Sequence, residues 1–363
     1  IRDGAGSPAA GHIVVAGGGT AGHIEPALAV AEVLRDSFGA EVTALGTEKG
    51  LETTIIPARG FPLELIEPVP IPRKKPLKLL GVPAKLIRSV AQTRAALKKA
   101  KADAVFGTGG YVSASAYLAA KSLRIPFYVL ETNALAGMAN KLGVKLGGTG
   151  FNAVPHSGMP GEVLGIPVRP GVGVDTDGVK AERGYKMWNL DPQRPTVLVT
   201  GGSQGARSIN TALEGAVGPL VDAGYQVLHA YGRKNDAPAE HDHYTAVPYI
   251  DDMEAAYAVA DVVICRSGAM TVAENSAAGV PAIYIPLPHG NGEQGLNSAH
   301  VVEAGAAVRI DDADLTPEAL VDAVTDILGP GGTASAMRAA LDDSGAGSAA
   351  EEIARRIIGE RTS

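Results

Sequence analysis

The sequence predicts an α/β fold built as two similar halves, and two observations carry that prediction. From His12 onward, short β-branched and apolar runs alternate with helix-length segments. This is the pattern of parallel strands buried on both faces beneath packed helices. The second observation is an internal echo. Val15-Ala16-Gly17-Gly18-Gly19-Thr20-Ala21-Gly22 and Leu198-Val199-Thr200-Gly201-Gly202-Ser203-Gln204-Gly205 both read as strand, glycine-rich turn and helix start. Aligning Gly18 with Gly201 gives an offset of 183, about half of the 363 residues, and a chain of this length favours two domains over one.

Taken in order, strands are predicted at 12–16, 41–45, 104–106 and 127–130, then at 196–200, 226–230, 262–265 and 282–285. Helices are predicted at 26–38, 206–222 and 269–278, where apolar residues recur at helical spacing. Between Ile166 and Asp177, Pro167, Pro170 and several glycines interrupt regular structure, which places the domain boundary there. The predicted parts are residues 1–168, residues 169–345 and a terminal helix within 346–363. In that helix Ser348 is a suitable N-cap, and Ile353, Ile357 and Ile358 need a surface to cover.

Composition narrows the functional classes. The 46 glycines and 24 prolines are scattered without a repeat, which excludes collagen-like and low-complexity readings. A net charge of -7 argues against a surface built wholly for nucleic acid. The single cysteine, Cys265, rules out an intrachain disulfide framework or a multi-thiolate zinc site and fits a reducing compartment. No run reaches the 18 or so apolar residues of a membrane span, and residues 1–11 lack the charged-then-apolar order of a signal peptide, so secretion is not expected.

Glycine runs occur at 17–22, 107–110 and 201–205. A glycine-rich turn between strand and helix lets backbone N–H groups approach a phosphate while the helix N-terminus adds about half a positive charge. None is followed by the Gly-Lys-Ser/Thr of a nucleotide-hydrolysing loop. The first run matches Gly-x-Gly-x-x-Gly and keeps a nicotinamide-binding reading open, with Glu48 as a late ribose-holding acid. The second half is denser. It carries Arg266-Ser267-Gly268-Ala269-Met270-Thr271-Val272-Ala273-Glu274, then Gly279-Val280-Pro281, then residues 289–297 from His289 through Gln294 to Asn297. Glu274 falls one to two turns into a helix, where it is either a solvated glutamate or a carboxylate for two sugar hydroxyls.

Gly18-Gly19-Thr20-Ala21-Gly22-His23, Gly109-Gly110-Tyr111-Val112-Ser113, Glu131-Thr132-Asn133, Gly201 to Arg207 and the block from Arg266 to Asn297 together resemble the MurG family. These are bacterial transferases that add N-acetylglucosamine to lipid I in peptidoglycan synthesis. The resemblance covers nearly the whole chain and implies the GT-B architecture, two Rossmann-like domains facing across a cleft, with a terminal helix returning to the first. It implies UDP-GlcNAc in the C-terminal half. The backbone at Ile250 would meet uracil, Glu274 the ribose, and Ser203 with Arg169 the diphosphate, with Ala269, Met270, Thr271, Val272 and Ala273 lining the pocket. Gln294, Asn133, Thr20, Ala21 and Gly22 would meet the N-acetylglucosamine.

The implied reaction is direct displacement at the anomeric carbon, which needs a general base and stabilisation of the departing diphosphate. For the second, the loop at 201–205 and Arg169 suffice without a cofactor or metal, since preorganised donors contribute roughly 3–4 kcal/mol each. For the base, His23 ends the first glycine loop and histidine ordinarily titrates near pH 6.5. Glu131 is the competing base, and Tyr111 could orient the acceptor. Asp175-Thr176-Asp177 has the form of a metal-carrying Asp-x-Asp motif but sits in the linker without a preceding strand.

Ten of the 32 basic residues and none of the 39 acidic ones fall between Arg73 and Lys101. Leu86, Val90 and Leu97 there have core spacing, whereas Leu77, Leu79, Leu80 and Val82 lie among lysines and suit an anionic lipid surface. No stacking aromatic is present, which disfavours RNA. The expected partners are therefore UDP-GlcNAc, lipid I and the inner face of the plasma membrane, with no nucleic acid. A GT-B transferase with a soluble acceptor and a nicotinamide-dependent oxidoreductase are the alternatives.

Overall fold

The computed structural model describes residues 10–69, 82–202, 206–288, 292–343 and 347–359. The chain divides into two units, one ending at Pro170 but joined again by the segment from Ser348, the other running from Gly171 to Gly347.

Seven parallel strands form the sheet of the first unit: β1 (His12–Gly17), β2 (Glu41–Gly46), β3 (Leu63–Leu65), β4 (Ala104–Gly109), β5 (Phe127–Glu131), β6 (Thr149–Asn152) and β7 (Glu162–Val163), in the spatial order β3-β2-β1-β4-β5-β6-β7. Its helices are α1 (Ala21–Phe38), α2 (Glu52–Ala58), α3 (Val82–Lys99), α4 (Gly110–Leu123) and α5 (Met138–Lys145). Pairing is in register from Ile13 to Val42 on one side and to Ala104 on the other. Alternation along β1 sends Ile13 and Val15 to one face, against α1, and Val14 and Ala16 to the other, against Leu97 of α3 and Tyr117 of α4. All four are at most 1% exposed, so a continuous apolar run was the right sign of a strand covered on both faces. α1 stops where Gly39 takes the left-handed φ of 67° and its N–H bonds the Arg35 carbonyl.

The second unit repeats the plan. β8 (Thr196–Thr200), β9 (Gln226–Ala230), β10 (Tyr244–Val247), β11 (Val262–Cys265), β12 (Ala282–Tyr284) and β13 (Ala307–Arg309) are all parallel in the order β10-β9-β8-β11-β12-β13. Around them lie α6 (Val179–Met187), α7 (Arg207–Asp222), α8 (Met253–Val259), α9 (Ala269–Ala277), α10 (Glu293–Glu303), α11 (Pro317–Leu328) and α12 (Ala334–Asp343). The echo between residues 15–22 and 198–205 thus marks equivalent points: β1 and β8 are each the strand beside which the strand order reverses. At such switch points open α/β sheets bind ligands.

The last helix, α13 (Ala349–Gly359), belongs to the first unit. Ile353 and Ile357 are fully buried in the α1 core cluster, Ile358 packs partly against it, and Arg356 holds Glu162 at 2.7 and 2.9 Å. Burial of each such isoleucine contributes about 1.5–3 kcal/mol, which fixes the helix in place.

Inside the second unit His229 of β9 is 1% exposed. The Asn210 amide nitrogen is committed to the Tyr231 carbonyl, so its oxygen accepts from His229 Nε2 at 2.9 Å, and His229 Nδ1 accepts from the Tyr244 hydroxyl at 2.7 Å. Burial pushes the imidazole down to about 4. The unfolded histidine takes up a proton below about pH 6.5 while the folded one does not, so stability is full above that pH and falls as the pH drops toward 4. The loss from this group reaches about 3 kcal/mol. Urea midpoints should therefore fall between pH 7 and 4.5 in the native chain and less steeply in His229→Gln.

Candidate active site

In the second unit a cavity of about 1120 Å³ opens beside β8 and β11, slightly larger than the usual ligand pocket. Thr200, Gly201 and Gly202 of the glycine turn form one wall, Ile250 and Tyr257 another, and Thr271, Glu274 and Gln294 a third. Ile250 is 3% exposed just ahead of α8. Glu274 receives the Tyr257 hydroxyl on Oε2 at 3.0 Å. Burial, with the adjacent carboxylate, holds the Tyr257 phenol well above its usual range, so it stays a donor. Gln294, in the first turn of α10, accepts the Leu287 N–H on Oε1 at 2.9 Å, and its carbonyl accepts the Ser267 hydroxyl.

Helix geometry spreads the run expected to line the pocket over several faces. Of the run from Ala269 to Ala273, the cavity wall contains Thr271, followed one turn on by Glu274. Val272 is buried in the core, and Ala269, Met270 and Ala273 are not among the cavity's described walls. Positions three apart share a helix face, whereas a continuous run of five covers every face. Arg266 is also on the wall, but its guanidinium is committed to Asp312 at 2.6 Å, Ser208 at 2.9 Å and the Ile285 carbonyl at 3.1 Å, so it clamps the ends of strands. Ser203 lies outside the described residues. Arg169 stands among the last residues of the first unit, and its Nε is buried with no hydrogen-bond partner among the described residues.

In the first unit the turn after β1 leads through exposed Thr20, Ala21 and Gly22 into α1, where His23 is half-buried. His23 Nδ1 lies 3.0 Å from the Thr108 carbonyl oxygen, which can only accept. This bond fixes the neutral tautomer with its lone pair on Nε2. The Thr108 hydroxyl returns a bond to the His23 carbonyl. The 107–110 run is therefore not an open phosphate cradle. Its first three residues belong to β4, a Cβ on Gly107 would overlap the Tyr117 ring, and one on Gly109, whose φ is 117°, would lie 2.8 Å from the His23 ring. These glycines admit His23 and Tyr117.

Glu131 is held on all sides. Its carboxylate is 1% exposed and accepts the Asn133 N–H at 2.8 Å, the Asn133 amide at 3.3 Å, the Gly137 N–H at 3.0 Å and the Asn140 amide at 2.9 Å. Those four bonds occupy the lone-pair sites of a carboxylate and leave none for a substrate hydroxyl. Glu131 organises the loop that presents Asn133. Tyr111, near the first glycine turn, meets Thr47 through its hydroxyl at 3.4 Å. Asp175 accepts the Ala181 N–H and Asp177 the Val179 N–H, so both close the start of α6. No His, Cys, Asp or Glu cluster with metal-holding geometry occurs among the described residues.

Tyr257 is a cavity residue that sequence reasoning missed. It lies 17 positions before its partner on another helix, and no local pattern joins them. Glu48 is exposed, so the acid that approaches the first glycine turn after β2 is Glu52, whose Oε1 accepts the Gly19 N–H at 3.1 Å.

A protein of Corynebacterium efficiens named "UDP-N-acetylglucosamine--N-acetylmuramyl-(pentapeptide) pyrophosphoryl-undecaprenol N-acetylglucosamine transferase" is 60% identical over 342 residues, covering 94% of this chain and 95% of its own. A protein of the same name from Nocardia farcinica is 50% identical over 359 residues, with 95% of each chain covered. Among solved structures, that of Acinetobacter baumannii MurG superposes with a TM-score of 0.73 at 28% identity over 95% of this chain and 98% of that one. The glycosyltransferase family 28 N-terminal domain matches residues 13–147 and the C-terminal domain residues 196–357. The predicted α/β fold with two Rossmann-like sheets is thus borne out, and the chain belongs to glycosyltransferase family 28.

Proposed function

We propose that the chain transfers N-acetylglucosamine from UDP-GlcNAc to the C4 hydroxyl of the muramyl sugar of lipid I, forming lipid II. The observation that carries this reading is the cavity of the second unit, where a glycine turn, the buried Ile250 and a tyrosine-held Glu274 stand together at the switch point of the sheet. The names and identities of the relatives support the choice of donor and acceptor.

In this reading the part from about residue 169 to 345 binds UDP-GlcNAc and the N-terminal part takes the acceptor. Ile250 meets uracil, Glu274 takes the ribose hydroxyls, and Ser203 with Arg169 takes the diphosphate. Gln294, Asn133 and the Thr20, Ala21 and Gly22 turn are assigned to the sugar. The acceptor oxygen bonds to the anomeric carbon as the bond to the diphosphate breaks, so the α-linked donor gives a β-linked product. UDP leaves with the electron pair, and the hydroxyl proton passes to His23 Nε2. Backbone donors of the second glycine loop and its helix N-terminus stabilise the departing charge, and no metal step is invoked.

Transfer of labelled N-acetylglucosamine from UDP-GlcNAc to a lipid I analogue tests the reading. Transfer is expected with UDP-GlcNAc, at full rate in excess chelator, and not with UDP-glucose. Product formed only on a water-soluble sugar acceptor would reject lipid I.

The attachment we propose is peripheral, at the cytoplasmic face of the plasma membrane, through residues 73–101. Residues 73–81, with Leu77, Leu79 and Leu80, lie outside the described residues. Of the remainder, on α3, Leu97 is in the core, Val90 packs against it and Ile87 is 69% exposed. No described helix is long and apolar enough to cross a membrane. Since each basic residue near an anionic surface contributes about 1 kcal/mol, Lys74→Glu with Lys75→Glu should weaken binding to anionic vesicles at least tenfold. Unchanged sedimentation with such vesicles would reject the attachment.

A further inference from the structure

Beneath the first glycine turn lies a carboxylate that the mechanism above does not use. Glu52 opens α2 and is fully buried. Its Oε1 takes the Gly19 N–H, and its Oε2 is buried with no hydrogen-bond partner among the described residues. Three glycines from two segments clear the space around it. A Cβ on Gly50 would overlap the carboxylate, one on Gly18 would come within 2.5 Å of Oε1, and one on Gly46 would lie 2.6 Å from Glu52 Cβ. A buried carboxylate with an unbonded oxygen is a costly way to fill a helix start, yet both surrounding turns are shaped to admit it.

Its location explains the cost. In a strand-to-helix glycine turn the backbone N–H groups ordinarily face an anionic ligand. Here Glu52 already faces one of them. The equivalent turn of the second unit differs: Gly202 N–H bonds the Thr200 hydroxyl at 3.2 Å, and Gly201 and Gly202 line the open cavity. Beyond Gly19 the first turn closes tightly, with the His23 and Ile24 N–H groups both on the Thr20 carbonyl at 3.1 Å. Anchoring Gly19 therefore anchors the short segment that ends in His23.

We propose that Glu52 is a positioning residue whose carboxyl group holds the first glycine turn in shape and so seats His23. This inference rests on the reading of His23 as the base.

The test compares Glu52→Gln and Glu52→Ala in the full chain, alone and with His23→Ala. Glu52→Gln preserves volume and should melt near the native temperature while losing at least threefold in kcat, with the KM for UDP-GlcNAc changed less than twofold. Glu52→Ala should lose at least tenfold in kcat, and added formate, which refills the seat with a carboxyl group, should restore at least a third of the native rate where formamide does not. In the His23→Ala background Glu52→Gln should have no further effect. Native turnover in Glu52→Gln, the same fractional loss with and without His23, or equal responses to formate and formamide would each overturn the proposal. Should His23→Ala itself turn over normally, the base reading fails instead, and that result is read separately.

Discussion

Alanine in place of His23 should lower kcat by about 10²–10⁴-fold, the usual contribution of a positioned general base, while the KM for UDP-GlcNAc stays within about threefold. The geometry sets this expectation. Nδ1 is bonded to the Thr108 carbonyl, so the imidazole is oriented by β4 and carries its lone pair on Nε2. The ring also sits against Gly109, where any side chain would displace it. The measurement is steady-state turnover with saturating donor across pH 5.5–9. Near-native turnover in His23→Ala would exclude it as the base. Glu131→Gln does not substitute for this experiment, because an amide at that position loses two of the four bonds, either those from Asn133 or those from Gly137 and Asn140, and disturbs the loop whatever the chemistry.

The second large effect is expected at Glu274. Hydrogen bonds to a charged group contribute about 1.5–3 kcal/mol each, so losing two to the ribose hydroxyls in Glu274→Ala should reduce kcat/KM for UDP-GlcNAc by about 10²–10⁴-fold, chiefly through KM. A donor lacking the ribose 2′-hydroxyl isolates the interaction. It should be a poor substrate for the native chain and no poorer, relative to UDP-GlcNAc, for the variant, since contacting partners are non-additive. Full additivity of the two losses would remove Glu274 from the ribose. Tyr257→Phe should have a smaller effect, because it removes one bond to the carboxylate and leaves the carboxylate in place.

The parts of this molecule that could be read from its residues are those where neighbours in sequence decide the outcome. β8, β9 and β11 run as predicted because runs such as Val197-Leu198-Val199 admit no other burial. The glycine echo was legible because a strand-turn-helix junction is local. Strands such as Glu162–Val163 and Ala307–Arg309 escaped, being short edge elements whose pairing comes from the neighbouring strand. The site divides the same way. Glu274 and Gln294 stand out within a dense motif, whereas the role of Glu131 depends on Gly137 and Asn140 folding back over it. Tyr257 and Glu52 depend on partners 17 and 33 positions away, and composition has no means of pointing to them.

The return of α13 to the first unit has a consequence for how the protein is made. The first sheet is translated early, but the hydrophobic face beside α1 stays bare until Ile353 and Ile357 leave the ribosome, after all of the second unit. Any nascent chain that stops short of α13 therefore displays an apolar seam that α13 conceals, which makes synthesis through α13 a condition that chaperones and proteases can read.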